Sequence, residues 1–92
     1  MAAVPLDQRV RRADVLWRRA GDRVLIRRLG DDDLLVLAGT GVDLWEAMDT
    51  ERTVDAIVVS LADAHAAAVD RVRADVQSAL ADLIAKRVVV AP

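Results

Sequence analysis

The chain has 92 residues and a mass of 10.0 kDa, with 54% hydrophobic and 30% charged residues and a formal net charge of −2. This length gives one small domain, which is too small to enclose the substrate tunnel of a large enzyme. Because the chain contains no cysteine, a disulfide framework, a thiolate metal site and a cysteine nucleophile are excluded. No apolar run approaches about 20 residues and no secretory hydrophobic region opens the chain, so we expect a cytoplasmic protein without a membrane span.

The charge is distributed unevenly along the chain. Residues 1–30 hold eight arginines and three aspartates, a net charge of +5, whereas residues 31–92 carry a net charge of −7. Such a split indicates either surfaces of the protein that complement each other or a partner that binds in one orientation.

The first part of the chain predicts an irregular arm followed by three strands. Residues 1–14 mix charge with proline and show no sustained period, as an N-terminal arm does. Two β-branched runs, Val15–Arg18 and Arg23–Arg27, flank the turn-forming sequence Ala20-Gly21-Asp22 and predict a hairpin. The run Leu34–Ala38 follows a further turn and completes a three-stranded antiparallel meander.

The middle of the chain predicts two helices. Thr40 and Asp43 have the spacing of a capping box, and the apolar residues that follow have helical spacing. Thr53 is placed to cap a second helix with a buried apolar stripe. We expect this second helix to break near His65.

The third predicted helix has the longest apolar stripe in the chain, and a short strand follows it. The stripe is Val69, Val72, Val76, Leu80 and Leu83. Lys86 and Arg87 suit the carboxyl end of this helix, and Val88–Val90 has the β-branched composition of a strand. The predicted fold class is α+β and winged-helix-like, with a three-stranded antiparallel N-terminal sheet followed by three helices and a short C-terminal strand.

Few residues in the chain point to catalysis, a metal or a cofactor. His65 is the only histidine and lacks the partners of a transition-metal site, so it is interpreted as a helix-end or surface residue. The run Asp31–Asp33 lacks the spaced oxygens of a calcium loop and is interpreted as a solvated turn. Neither a nucleophile elbow nor a phosphate-binding glycine loop is present. We therefore expect no catalytic residues, no metal and no cofactor.

Two interpretations compete for the third predicted strand and the third predicted helix. Three helices with flanking strands are typical of a winged helix-turn-helix DNA-binding regulator, but residues 69–87 carry only a slight positive excess, placed at the carboxyl end. Alternatively, if Leu34–Ala38 is an edge strand, its unpaired backbone groups can accept an extended peptide. A strip of small and charged residues on the third helix then forms the other wall of a cleft; it includes Arg71, Asp75 and Ala79. A further interpretation is an edge strand that binds no peptide and is protected by the aspartate run, and the sequence leaves this alternative open.

The order of these elements and several residues resemble the PqqD family, the leader-peptide recognition domains of ribosomal peptide natural-product pathways. The resemblance runs from about Val15 to Val90. It is carried by Leu37, Gly41 and Trp45, by Thr53-Val54-Asp55-Ala56-Ile57 with Leu61, by Asp75-Val76, and by Leu83 before the final strand.

The resemblance implies a stand-alone recognition element in natural-product biosynthesis that is not an enzyme. It assigns residues 15–92 to the peptide-recognition domain and residues 1–14 to the arm. The leader segment of a precursor peptide is expected to add as a strand to the third predicted strand, beside the third helix. The peptide-binding residues carried over by position are Leu34, Leu35, Val36, Leu37, Arg71, Val72, Asp75, Val76 and Ala79, although Val72 and Val76 equally fit the core.

The resemblance also implies the partners of this protein. They are the precursor leader and a peptide-modifying enzyme of the radical SAM, cyclase or protease type, with no nucleic acid and no membrane. The basic N-terminal segment, including Arg18 and Arg19, is a candidate contact for an acidic leader or for the enzyme. Because an exposed sheet edge also pairs with a second copy of the chain, a homodimer stays open, as does a subunit-docking module with no peptide cargo.

Overall fold

The predicted α+β architecture is confirmed. The computed structural model describes residues 4–30 and 32–92, so Asp31 of the predicted turn and the first three residues of the predicted arm lie outside the described residues. In chain order the elements are β1 (Arg9–Arg12), β2 (Val15–Ala20), β3 (Arg23–Arg28), β4 (Leu34–Ala38), α1 (Thr40–Ala47), β5 (Arg52–Thr53), α2 (Val54–Ala64), α3 (Val69–Ala85) and β6 (Val89–Val90).

The meander is an antiparallel sheet in the order β2-β3-β4. Ala20 pairs with Arg23 across a two-residue loop, in which Gly21 has a φ of 61°, as the first loop residue of a type II′ turn requires. Val24 and Ile26 are buried on the inner face, and successive residues point to opposite faces. The predicted hairpin and third strand are therefore present at the predicted positions.

The prediction of an irregular lead-in is wrong over Arg9–Arg12, which forms β1. This strand lies in a second sheet of order β5-β1-β6, pairing Val10 with Arg52 and Arg12 with Val89. Val10 is fully buried, and this single buried side chain links the strand to the core. A single apolar residue among arginines does not show the alternation that predicts a strand. The strand forms through pairing with β5 and β6, which come from distant parts of the chain.

The helices begin and end for identifiable reasons. The Thr53 hydroxyl accepts a hydrogen bond from the Ala56 N–H at 3.1 Å, so the predicted cap of α2 is confirmed. The predicted capping box of α1 is wrong, because α1 already includes Thr40 and no side chain caps it. The break near His65 is confirmed, since α2 ends at Ala64.

Non-glycine residues end both α2 and α3 in a left-handed conformation. Ala66 has a φ of 50° and Arg87 a φ of 62°. After α3, the N–H groups of Arg87 and Val88 donate to the carbonyls of Ile84 and Leu83, which is the pattern of a Schellman motif. Glycine usually occupies this position, so Arg87 holds a conformation that costs an L-residue free energy.

Arg12 ties the second sheet to α1. Its Nε and Nη2 groups donate to the Trp45 carbonyl at 3.1 and 2.7 Å. Its guanidinium lies 4.6 Å from the ring centroid of Trp17 and 5.1 Å from that of Trp45. Burial lowers the pKa of Arg12, and the nearby Asp49 and Glu46 oppose that shift. The arginine is thus a structural part of the core boundary.

One core joins the two sheets and the three helices. Its largest fully buried side chains are Trp45, Ile26, Met48, Ile57 and Leu80. Of the predicted stripe on α3, Val76, Leu80 and Leu83 are buried, whereas Val69 is 43% exposed. In residues 4–30 and 32–92, no helix is long and apolar enough to cross a membrane.

Candidate functional site

Strand β4 is an edge of the meander. It pairs with β3 on one side, and within the described residues no other strand pairs with its opposite side. The N-terminal segment and the C-terminal strand lie in the other sheet, where β1 pairs with β5 and β6. The described part of the arm therefore does not occupy this edge.

The hairpin geometry shows which backbone groups of β4 are free. Residues that flank a two-residue hairpin loop form a hydrogen-bonded pair, and such pairs alternate with non-hydrogen-bonded pairs along antiparallel strands. Because Ala20 and Arg23 flank the loop, the backbone groups of Val24 and Ile26 point toward β4. Their partners there are Leu37 and Leu35.

It follows that Leu34, Val36 and Ala38 direct their N–H and C=O groups away from β3, toward the free edge. Leu34 and Val36 are also exposed, at 57% and 46%. By contrast, Leu35 and Leu37 are half-buried and pack against the core. The four predicted strand residues thus divide into two at the open edge and two that anchor the strand.

The helix α3 forms one wall of a depression of about 300 Å³, here called the helical depression. All five predicted helix residues line it: Arg71, Val72, Asp75, Val76 and Ala79. Val76 is buried, Val72 and Ala79 are half-buried, and Arg71 and Asp75 are exposed. The two valines therefore belong to both the core and the floor of this depression.

The opposite wall of the helical depression comes from α1 and the end of α2. Its residues were not predicted from the sequence: Thr40, Gly41, Asp43, Leu44, Leu61, His65 and Ala67. Gly41 brings this wall to the strand, since a Cβ at Gly41 would lie 3.6 Å from the Leu37 Cβ. No local sequence signal marks this wall, because its residues meet α3 only when the helices pack.

Charged groups surround the apolar floor of the helical depression. The His65 Nε2 lies 3.1 Å from the Asp43 Oδ2, which links the end of α2 to α1. This agrees with the interpretation of His65 as a helix-end residue and adds a partner to it. Arg71 and Asp75 have no ion-pair partner within the described residues, so both charges are available to a ligand.

A second depression of about 230 Å³, here called the strand depression, lies at the other end of β4. Leu34 and Leu35 line it together with Lys86 and Val88, which follow α3. The start of β4 thus lies near the residues that follow α3, whereas the residues that follow β4 lie near positions 71–79. The two depressions lie at opposite ends of β4.

The charges of α3 do not favour a nucleic-acid ligand. Arg73 pairs with Asp70 at 3.0 Å within the helix, and Lys86, directly after the helix, pairs with Asp82 at 2.8 Å. These contacts neutralise two of the basic side chains that a groove-binding helix needs for phosphates.

The comparison with protein families identifies the chain. A family model described as coenzyme PQQ synthesis protein D (PqqD) matches residues 25–89, which is more than half of the chain. The chain belongs to the PqqD family. This is the family of recognition elements for ribosomally synthesised and post-translationally modified peptides, and its proteins are non-catalytic. No curated protein and no solved structure matches the chain.

The PqqD match covers β4, all three helices and most of β3, and so it spans the open strand edge and both walls of the helical depression. Proteins of the PqqD family interact with precursor peptides and their modifying enzymes. The match begins after β1 and β2, although the structure places Val10 of β1 in the same core.

Proposed function

We propose that this PqqD-family protein binds the leader segment of a ribosomally made precursor peptide as an added strand on β4, beside α3, and presents it to a modifying enzyme. One observation supports this proposal above the others: Leu34, Val36 and Ala38 direct free backbone groups to an open strand edge that has a depression at each end. We take the two depressions as the ends of one peptide groove between β4 and α3. An extended peptide supplies the missing hydrogen-bond partners, as in other strand-addition complexes.

The two depressions suggest how side chains of the leader are received. An added strand points alternate side chains to opposite faces, so every second residue of the leader faces α3. The apolar floor at Val72, Val76 and Ala79 suits an apolar side chain there. Arg71 and Asp75 contribute orientation and register, since exposed ion pairs are worth only about 0 to 1 kcal/mol each.

Moderate affinity suffices for presentation of the precursor. The leader is ordered only on binding, which opposes association, so we expect a Kd in the micromolar range, about −8 kcal/mol. Once the leader is held, the attached core peptide reaches the enzyme at a raised effective concentration.

A backbone NMR titration with the synthetic leader peptide of a ribosomal precursor from the same organism tests the proposal. We expect shift changes centred on residues 34–38 and 68–80. Duplex DNA, titrated in parallel, is expected to leave these residues unchanged. Changes confined to arginine-bearing surfaces with DNA, and none with the leader, would reject the proposal in favour of a DNA-binding regulator.

Filling the helical depression gives a second test. Ala79→Phe places a ring in the depression, whereas Ser78→Phe places the same ring at an exposed neighbouring position that does not line it. We expect Ala79→Phe to weaken leader binding by about tenfold or more, which corresponds to about 1.4 kcal/mol, and Ser78→Phe to leave it unchanged. Equal effects of the two variants would contradict the groove.

A further inference from the structure

The outer face of the meander carries an exposed apolar surface that begins at Leu34 and Val36 on the leader edge and extends across β3 to β2, beyond the proposed groove. By register, Leu16, Arg27 and Leu34 form one row, and Arg18, Leu25 and Val36 form the next. These six positions are here called the outer face; they lie opposite the buried side chains of β3.

The outer face is unusually apolar for a solvated surface. Leu16 is 54% exposed and Leu34 is 57% exposed, and Val36 continues the patch. An antiparallel sheet with one solvated face normally carries polar residues there. A contiguous apolar surface of this kind marks a site where another molecule binds.

The charges of the outer face specify the partner. Arg18 and Arg27 are exposed and have no ion-pair partner within the described residues, and neither row contains an acidic residue. Other arginines of the basic N-terminal segment are already engaged, since Arg9 pairs with Glu51 and Arg19 with Glu46. A complementary partner therefore presents apolar side chains with carboxylates among them.

Two other occupants fit these charges less well. A two-fold dimer through this face would bring the same arginines of two copies together, because such an interface is self-complementary. Nucleic acid would pair with the arginines but would leave four apolar side chains without a partner, in contrast to the polar interfaces that nucleic acids form.

We infer that the outer face docks an acidic, apolar surface patch of the modifying enzyme. This inference rests on the proposed function, because it assumes that the leader is delivered to such an enzyme. The geometry suits delivery: the leader edge is on β4, while Leu16 and Arg18 lie on β2, at the opposite side of the sheet. The β2 part of the outer face therefore stays uncovered when a leader strand adds to β4.

Calorimetric titration of the purified enzyme that modifies this precursor into variants of the full chain tests the inference. Leu16→Ser has a matched control in Val59→Ser, because both side chains are 54% exposed and Val59 lies on α2. We expect Leu16→Ser to weaken enzyme binding by about fivefold or more and Val59→Ser to leave it within about twofold.

A charge reversal is the second arm of this experiment. Arg18→Glu is expected to weaken enzyme binding and to reduce its dependence on salt, whereas Arg11→Glu, on β1, is expected to change neither. The leader affinity of every variant is measured in parallel and is expected to equal that of the wild type. If the wild-type protein does not bind leader, the proposed function is rejected. The enzyme titration then still tests whether the outer face is the docking surface.

Three results would overturn the inference. The first is enzyme binding that is absent in the wild type or unchanged in both Leu16→Ser and Arg18→Glu. The second is a wild-type dimer in sedimentation that these variants convert to monomer, since a second copy would then cover the face. The third is binding of duplex DNA that Arg18→Glu abolishes.

Discussion

Replacement of Val36 by proline removes one hydrogen-bond donor from the free edge of β4 and leaves the rest of the strand in place. The Val36 N–H points away from β3, so the β3–β4 ladder loses no bond. Proline is tolerated on edge strands, and the extended residue before it already has the backbone conformation that proline requires. We therefore expect the variant to fold.

The expected loss of leader affinity follows from this geometry. One interstrand hydrogen bond is worth about 1 kcal/mol, and the peptide carbonyl left without a donor costs about 1 to 3 kcal/mol more. The total of about 2 to 4 kcal/mol corresponds to at least a ~30-fold rise in Kd. A leader that binds at about 1 μM would then bind at about 30 μM or more weakly.

Fluorescence anisotropy of a labelled leader peptide measures this change. Val36→Ala is the matched control, because it removes the exposed side chain and keeps the N–H, so its Kd is expected to stay within about fivefold of the wild type. Ala38→Pro repeats the test at a second outward-facing position of the same strand. A folded Val36→Pro protein that binds leader within threefold of the wild type would refute strand addition on β4.

Three further predictions concern stability and are measured by urea unfolding. Arg12→Lys is expected to lower the free energy of unfolding by about 1 to 3 kcal/mol, because lysine keeps the charge but loses the paired donors and the stacking on two tryptophan rings; an unchanged value would contradict this role. Thr53→Ala is expected to cost about 1 kcal/mol as a lost helix cap, whereas Thr40→Ala is expected to cost little. A larger loss of stability in Thr40→Ala than in Thr53→Ala would show that Thr40 caps α1. Arg87→Gly is expected to stabilise the protein by about 1 kcal/mol, since it relieves a left-handed arginine; a lower unfolding midpoint would show that the arginine side chain outweighs this strain.

Part of the candidate site is predictable from local sequence patterns, and part depends on contacts between distant segments. Arg71, Asp75 and Ala79 share one side of α3 because a helix repeats about every 3.6 residues, and this period is visible in the sequence. The same holds for the alternation of Leu34 and Val36 with their neighbours. The opposite wall, with Thr40, Gly41 and His65, was not predicted, because its position depends on how α1 and α2 pack against α3.

The sequence by itself determined the meander, the three helices, the Thr53 cap and the break near His65, because period, turn chemistry and capping act over a few neighbouring residues. Only the tertiary structure decided that Arg9–Arg12 is a strand between β5 and β6 and that the edge of β4 is open beside α3. Strand pairing and helix packing join residues that are far apart in the chain, and the free energy that selects them appears only when the whole core is assembled.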